Sequence, residues 1–83
     1  MDRVLVVDDE PGIRSLMARW SESFGCLVSS AASAEQAIDE LARTPCAVAV
    51  CDIALPGHAG LWLAREVRER YPDVPVVIAT PRQ

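Results

Sequence analysis

Val4, Leu5, Val6 and Val7 run without interruption into Asp8, Asp9 and Glu10, and Pro11 follows. An unbroken apolar run of this kind spells a strand buried on both faces, as in a parallel sheet with helices above and below it. Pro11 suits the first position of a helix, where its missing N–H costs nothing. The acids therefore stand at the carboxyl end of a central strand, which is where open α/β sheets place their ligands.

Negative charges crowded at one strand end repel each other, and a bound cation relieves them. Donor sets made only of oxygen favour a hard ion, Mg²⁺ above all, which needs just one or two carboxylates and keeps its waters. The same residues also fit a plainer role, because Asp9 and Glu10 would favour the positive N-terminal end of the helix that Pro11 opens. Asp52, further along, bears on the choice.

After the first strand, Ile13, Leu16, Met17, Trp20 and Phe24 recur at helical spacing and predict an amphipathic helix with Trp20 in the core, Arg14, Arg19 and Glu22 lying on its other faces. Gly25 closes it. Residues 26–30 predict a short second strand at the sheet edge. Ser33 and Gln36 form a capping-box pattern that opens a second helix with Ala34, Ala37, Ile38 and Leu41 inward, and Thr44 with Pro45 ends it. Residues 47–51 are a second fully apolar run, and Asp52 follows directly. A loop with Pro56, Gly57, His58 and Gly60 leads to a third helix, from about Gly60 to Tyr71, predicted to bury Leu61, Ala64, Val67 and Tyr71. Residues 74–79 predict a fourth strand ending at Thr80.

Strands alternating with helices over short connections predict right-handed crossovers and a parallel sheet. At 83 residues the chain has room for one domain. Its net charge of −4, with every basic residue an Arg, makes it a poor binder of nucleic acid or an anionic membrane by itself. No apolar run reaches the ~18 residues of a membrane span, and no signal peptide is legible at the N-terminus. Cys26, Cys46 and Cys51, lying in or beside apolar runs, fit reduced packing residues of a cytoplasmic protein.

Both central strands end in carboxylates, Asp8 and Asp9 on one and Asp52 on the other. If these strands are neighbours, the carboxylates converge and a divalent cation is needed at neutral pH. A carboxylate beside Mg²⁺ is a nucleophile toward phosphorus, and a hydroxyl such as that of Thr80 is a donor to a phosphoryl oxygen. Taken together and in order, Asp8 and Asp9 after the first strand, Asp52 with Pro56 four residues on and Gly60 eight on, and Thr80 closing the fourth strand resemble the receiver domain of bacterial two-component response regulators. The resemblance spans essentially all of residues 1–83.

That resemblance implies a flavodoxin-like three-layer α/β/α fold with strand order 2-1-3-4. It implies that Asp52 is the phosphoacceptor, that Asp8, Asp9, Asp52 and the backbone carbonyl of Ala54 hold Mg²⁺, and that Thr80 is the switch hydroxyl. The phosphoryl donor would be a phosphohistidine on a sensor histidine kinase or phosphotransfer protein, and the module would be a regulatory phosphoacceptor rather than an enzyme acting on other molecules.

The sequence also departs from the family. The family's fifth strand, with its Lys and aromatic switch residue, and the last two helices have no counterpart here, so the domain is expected to be incomplete at its C-terminus. The fourth strand would then be an exposed edge through which copies self-associate. Pro81 removes a backbone N–H next to Thr80. A degenerate receiver acting only as an interaction module is therefore an alternative. A Mg²⁺-dependent phosphohydrolase is a weaker one, because the second Asp that haloacid-dehalogenase-like enzymes carry two residues after the nucleophile is Ala54 here. A Rossmann nucleotide binder lacks its Gly-rich fingerprint. His58 falls at a variable loop site with no expected chemistry, and Trp62 stands where the family usually has a polar residue, a position open to a partner.

Overall fold

The computed structural model describes residues 2–52 and 59–79, with Asp52, Ala59 and Ala79 described by backbone alone. Four strands and three helices alternate: β1 (Arg3–Val7), α1 (Pro11–Ser23), β2 (Leu27–Ala31), α2 (Ala34–Arg43), β3 (Val48–Asp52), α3 (Ala59–Arg70) and β4 (Val76–Ala79). The sheet is wholly parallel, in the order β2-β1-β3-β4. β1 is central because its side chains are apolar on both faces, and Val4 to Val7 are all buried. β2, with Ser29 and Ser30 in its middle, takes one edge, as its polarity predicts.

Alternation along the strands divides the core in two. Leu5, Val7, Ala49 and Cys51 face α2 and α3 and form one buried cluster with Ala34, Ala37, Leu41, Leu63 and Val67, against which Ile38, Tyr71, Val74 and Val76 pack. Val4 and Val6 point to the opposite face, beneath α1, which touches β1 and β2 but neither β3 nor β4 among the described residues.

Local chemistry explains the helix ends. At α2 the Ser33 hydroxyl accepts from the Gln36 N–H at 3.2 Å, and the Gln36 side chain accepts from the Ala32 N–H at 2.9 Å. The capping pattern is thus reciprocal, with the return bond landing one residue before the cap. α1 starts with Pro11 at its first turn, and Glu10, at the N-cap, makes no side-chain capping bond. Gly25 follows Phe24 with φ +85°, the left-handed conformation that ends a helix cheaply only at glycine. Glu66 and Arg70 pair at 3.0 Å one turn apart on α3, and Glu40 pairs with Arg43 on α2. Exposed pairs of this kind contribute only about 0.3–0.5 kcal/mol each.

Two burial expectations are corrected. Trp20 is 67% exposed, as are Leu16 at 55% and Phe24 at 73%, so the apolar stripe of α1 forms a helix face without becoming core. Trp20 and Phe24 lie against each other with ring centroids 6.1 Å apart. On α3 the inward track is Gly60, Leu63 and Val67; Leu61 is 55% exposed. Both tracks share Val67 at helical spacing, and the rotation of the helix on the sheet selects the one with Leu63.

Candidate functional site

The site is built from strand ends. β1 and β3 are hydrogen-bonded neighbours in the register Val7↔Cys51, so the residues that follow, Asp8 and Asp52, stand level on adjacent strands. Neighbouring strands lie about 4.8 Å apart, which brings these two acidic positions side by side. In the next register Asp52 is level with Ala79 of β4. Thr80, the next residue after Ala79, lies outside the described residues, as do Ala54, Pro56 and His58, and the Asp52 side chain is not described.

Asp8 is 1% exposed. A buried carboxylate requires partners, because burial of an unpaired charge is strongly unfavourable. Its N–H donates to the Ala31 carbonyl of β2 at 3.1 Å, and its Oδ1 accepts from the Glu10 N–H at 2.9 Å. Its own carbonyl accepts from Nη1 of Arg14 at 2.7 Å. Asp9, next in the chain, is exposed. A buried carboxylate and an exposed one thus share the end of β1, with a third acidic residue level with them on β3.

This donor set fits the ion the family implies. Oxygen ligands only, with one carboxylate rigidly held and another reaching solvent, suit a hard cation that retains water. Among the described residues no three His, Cys, Asp or Glu side chains assemble as a metal centre by themselves; the Asp52 side chain and the Ala54 carbonyl lie outside that set.

Arg14 is the site residue that sequence reasoning missed, having been placed on an outer face of α1. The legible signal is its spacing. Four residues after the N-cap Glu10, it stands one turn above the helix start, on the side facing the end of β1. Cys46 and Cys51 are buried and Cys26 is partly so, and none of the three is in a disulfide.

The parallel α/β sheet, with acids gathered at the carboxyl ends of its central strands, defines the doubly wound class that binds ligands at that edge. A protein-family model described as the response regulator receiver domain matches residues 4–83. The chain belongs to the response regulator receiver domain family.

It is 42% identical over 85 residues to the transcriptional regulatory protein AruR of Pseudomonas aeruginosa, covering 96% of this chain and 34% of that protein. It is 31% identical over 80 residues to the transcriptional regulatory protein BaeR of Escherichia coli, covering 96% of this chain and 33% of that one. The chain therefore spans about a third of the length of these curated relatives. Among solved structures, TrrA of Thermotoga maritima in complex with Mg²⁺ and BeF superposes with a TM-score of 0.91 at 32% identity, covering all of this chain and 72% of that one. TrrA in complex with the histidine kinase ThkA superposes with a TM-score of 0.89. The flavodoxin-like fold and the strand order 2-1-3-4 hold as expected.

Proposed function

We propose that this chain is a phosphoacceptor module that takes a phosphoryl group onto Asp52 from a phosphohistidine of a sensor kinase or phosphotransfer protein. The observation that carries the reading is the level placement of Asp8 and Asp52 on adjacent strands, with Asp9 beside them. In the transfer, a carboxylate oxygen of Asp52 forms a bond to phosphorus, the P–N bond breaks, and its electron pair returns to the imidazole, which takes up a proton. Asp8, Asp9, Asp52 and the Ala54 carbonyl would hold Mg²⁺. When bound, the ion neutralises charge on the phosphoryl oxygens. Asp8 contributes a carboxylate pre-set by the Glu10 N–H, and the Thr80 hydroxyl donates to the transferred group. Support by resemblance comes from TrrA, solved with Mg²⁺ and BeF and with a histidine kinase.

The role is regulatory, with chemistry confined to the chain's own phosphorylation and its reversal. A cytoplasmic location fits the absence of disulfides among Cys26, Cys46 and Cys51; separately, no helix among the described residues is long and apolar enough to cross a membrane. Two copies would pair through β4, whose Val77 and Ile78 are exposed at the sheet edge. Light scattering checks this: Val77→Lys should shift an associating chain toward monomer.

Incubation with acetyl phosphate and Mg²⁺, then borohydride trapping and peptide mass analysis, tests the central reading. Label on Asp52 is expected; label on Asp8, Asp9 or His58 would overturn it. No label at all would favour the interaction-module reading, which Pro81 supports by removing an N–H beside Thr80.

A further inference from the structure

Three hydrogen bonds close a ring around Asp9. The Arg14 guanidinium donates to the Asp8 carbonyl at 2.7 Å, the Arg14 N–H donates to the Glu10 carbonyl at 2.9 Å, and the Glu10 N–H donates to Asp8 Oδ1 at 2.9 Å. The first joins the side chain of α1 to the end of β1; the third joins the start of α1 to the carboxylate of Asp8. Asp9, bracketed by the two residues so fixed, makes no side-chain hydrogen bond among the described residues, and its direction is set by the backbone that the ring holds.

Arg14 is half-buried and forms no ion pair among the described residues. Its planar fork can hold a carbonyl in a fixed direction, which a flexible ammonium does less well. The bond goes to a main-chain oxygen, so neither carboxylate is neutralised by it.

We infer that Arg14 is a positioning residue for the cation site, holding the Asp8–Glu10 turn so that the carboxylates of Asp8 and Asp9 face one ion. The inference rests on the reading of the acidic strand ends as a Mg²⁺ site. It also makes a prediction of definite sign. A guanidinium so near the cluster repels a second cation, so if its charge were all that mattered, removing it would tighten Mg²⁺ binding. If it positions the ligands, removing it weakens binding, as loss of a partner that orients metal ligands ordinarily does.

The test is Mg²⁺ titration of the whole chain, followed by Trp fluorescence and by NMR, in wild type, Arg14→Met, Arg14→Lys and Asp9→Asn. Methionine keeps a long apolar stem and a good helix former while removing the donors and the charge. Arg14→Met is expected to weaken Mg²⁺ by about tenfold, with thermal melting in EDTA close to wild type and with Arg14→Lys recovering part of the loss. Binding by Arg14→Met as tight as wild type, or tighter, overturns the inference. Should Arg14→Met fail to fold, ¹⁵N NMR of the wild-type guanidinium decides: restricted rotation about the bonded nitrogen supports the role, and free rotation with and without Mg²⁺ overturns it. Asp9→Asn separates the two levels. If it abolishes binding while Arg14→Met does not weaken it, only the role of Arg14 fails. If wild type binds no Mg²⁺, or Asp9→Asn binds like wild type, the site reading fails and takes the inference with it.

Discussion

The two faces of the sheet are built from the same kinds of residue and end in different states. On one, Leu5, Val7, Ala49 and Cys51 lie under two helices, and Leu63 and Val67 of α3 with Ala34 and Ala37 of α2 close over them until almost nothing is accessible. On the other, among the described residues, α1 covers Val4 and Val6; Val48 and Val50 are half-buried, Val77 is exposed, and α1 has no fully buried residue. An amphipathic helix needs a surface wide enough to receive its stripe. Among the described residues α1 meets only β1 and β2, so Leu16, Trp20 and Phe24 overhang. Apolar periodicity thus states what a helix is able to bury, while burial itself is decided by how many neighbours flank it.

The sharpest way to break this contrast is to remove matched apolar groups from each face. Leu63→Ala should destabilise the chain by about 2–5 kcal/mol, the usual range for a buried leucine. Trp20→Ala, at an exposed position away from caps and strain, should change stability by no more than about 0.5 kcal/mol. Urea unfolding of both variants checks the pair; a Trp20 cost near that of Leu63 would mean that α1 is covered in solution. A smaller effect is expected at Gly25. Alanine there must adopt φ +85°, and forcing a side chain into that conformation costs about 1–2 kcal/mol. Chemical denaturation at fixed temperature measures it, and an unchanged midpoint would mean that the C-terminal turn of α1 relaxes freely.

Next comes the difference between helix starts. Ser33→Ala removes a cap and should cost about 1 kcal/mol, whereas Glu10→Ala, at an N-cap whose side chain makes no bond, should cost next to nothing. Thermal melts of the two variants compare them directly.

The smallest effect concerns Cys46, on the well-covered side. Burial pushes its thiol above the ordinary value, Arg3 pulls it down less, and Glu40 adds to the rise. A raised value in the folded state means stability present in full below the ordinary thiol pKa, about 8.5, and lost as pH rises through the folded value. Cys46→Ala should therefore flatten the alkaline fall in stability, as read from denaturation midpoints across that range. A fall of the same steepness in the variant would assign it to other groups.

Some of this molecule was plain in its sequence. α2 was legible down to its buried stripe and its Ser33–Gln36 cap, because every signal there is local. β1 and β3 were legible as central strands because they are apolar on both faces. The rotation of α3 was not, since the tracks through Leu61 and through Leu63 are equally helical and only contact with β3 and β4 chooses between them. The level placement of Asp8 and Asp52 was legible, because the ends of neighbouring strands in a parallel sheet fall level. Arg14 was not, for its role depends on a main-chain carbonyl, and no residue type advertises where a carbonyl will point.

The register of β1 carries a further consequence, for synthesis. Val4 pairs with Val28 on one side and Val48 on the other, so the ribosome completes β1 well before either partner exists. Until then a bare, β-branched hydrophobic segment is a template for sticking to other nascent chains. Asp2 and Arg3 precede it, and Asp8, Asp9 and Glu10 follow it at once. Flanking charges of this kind act as gatekeepers against aggregation. Neutralising all three of those acids would then show first as inclusion bodies during expression, before any assay of binding could be attempted.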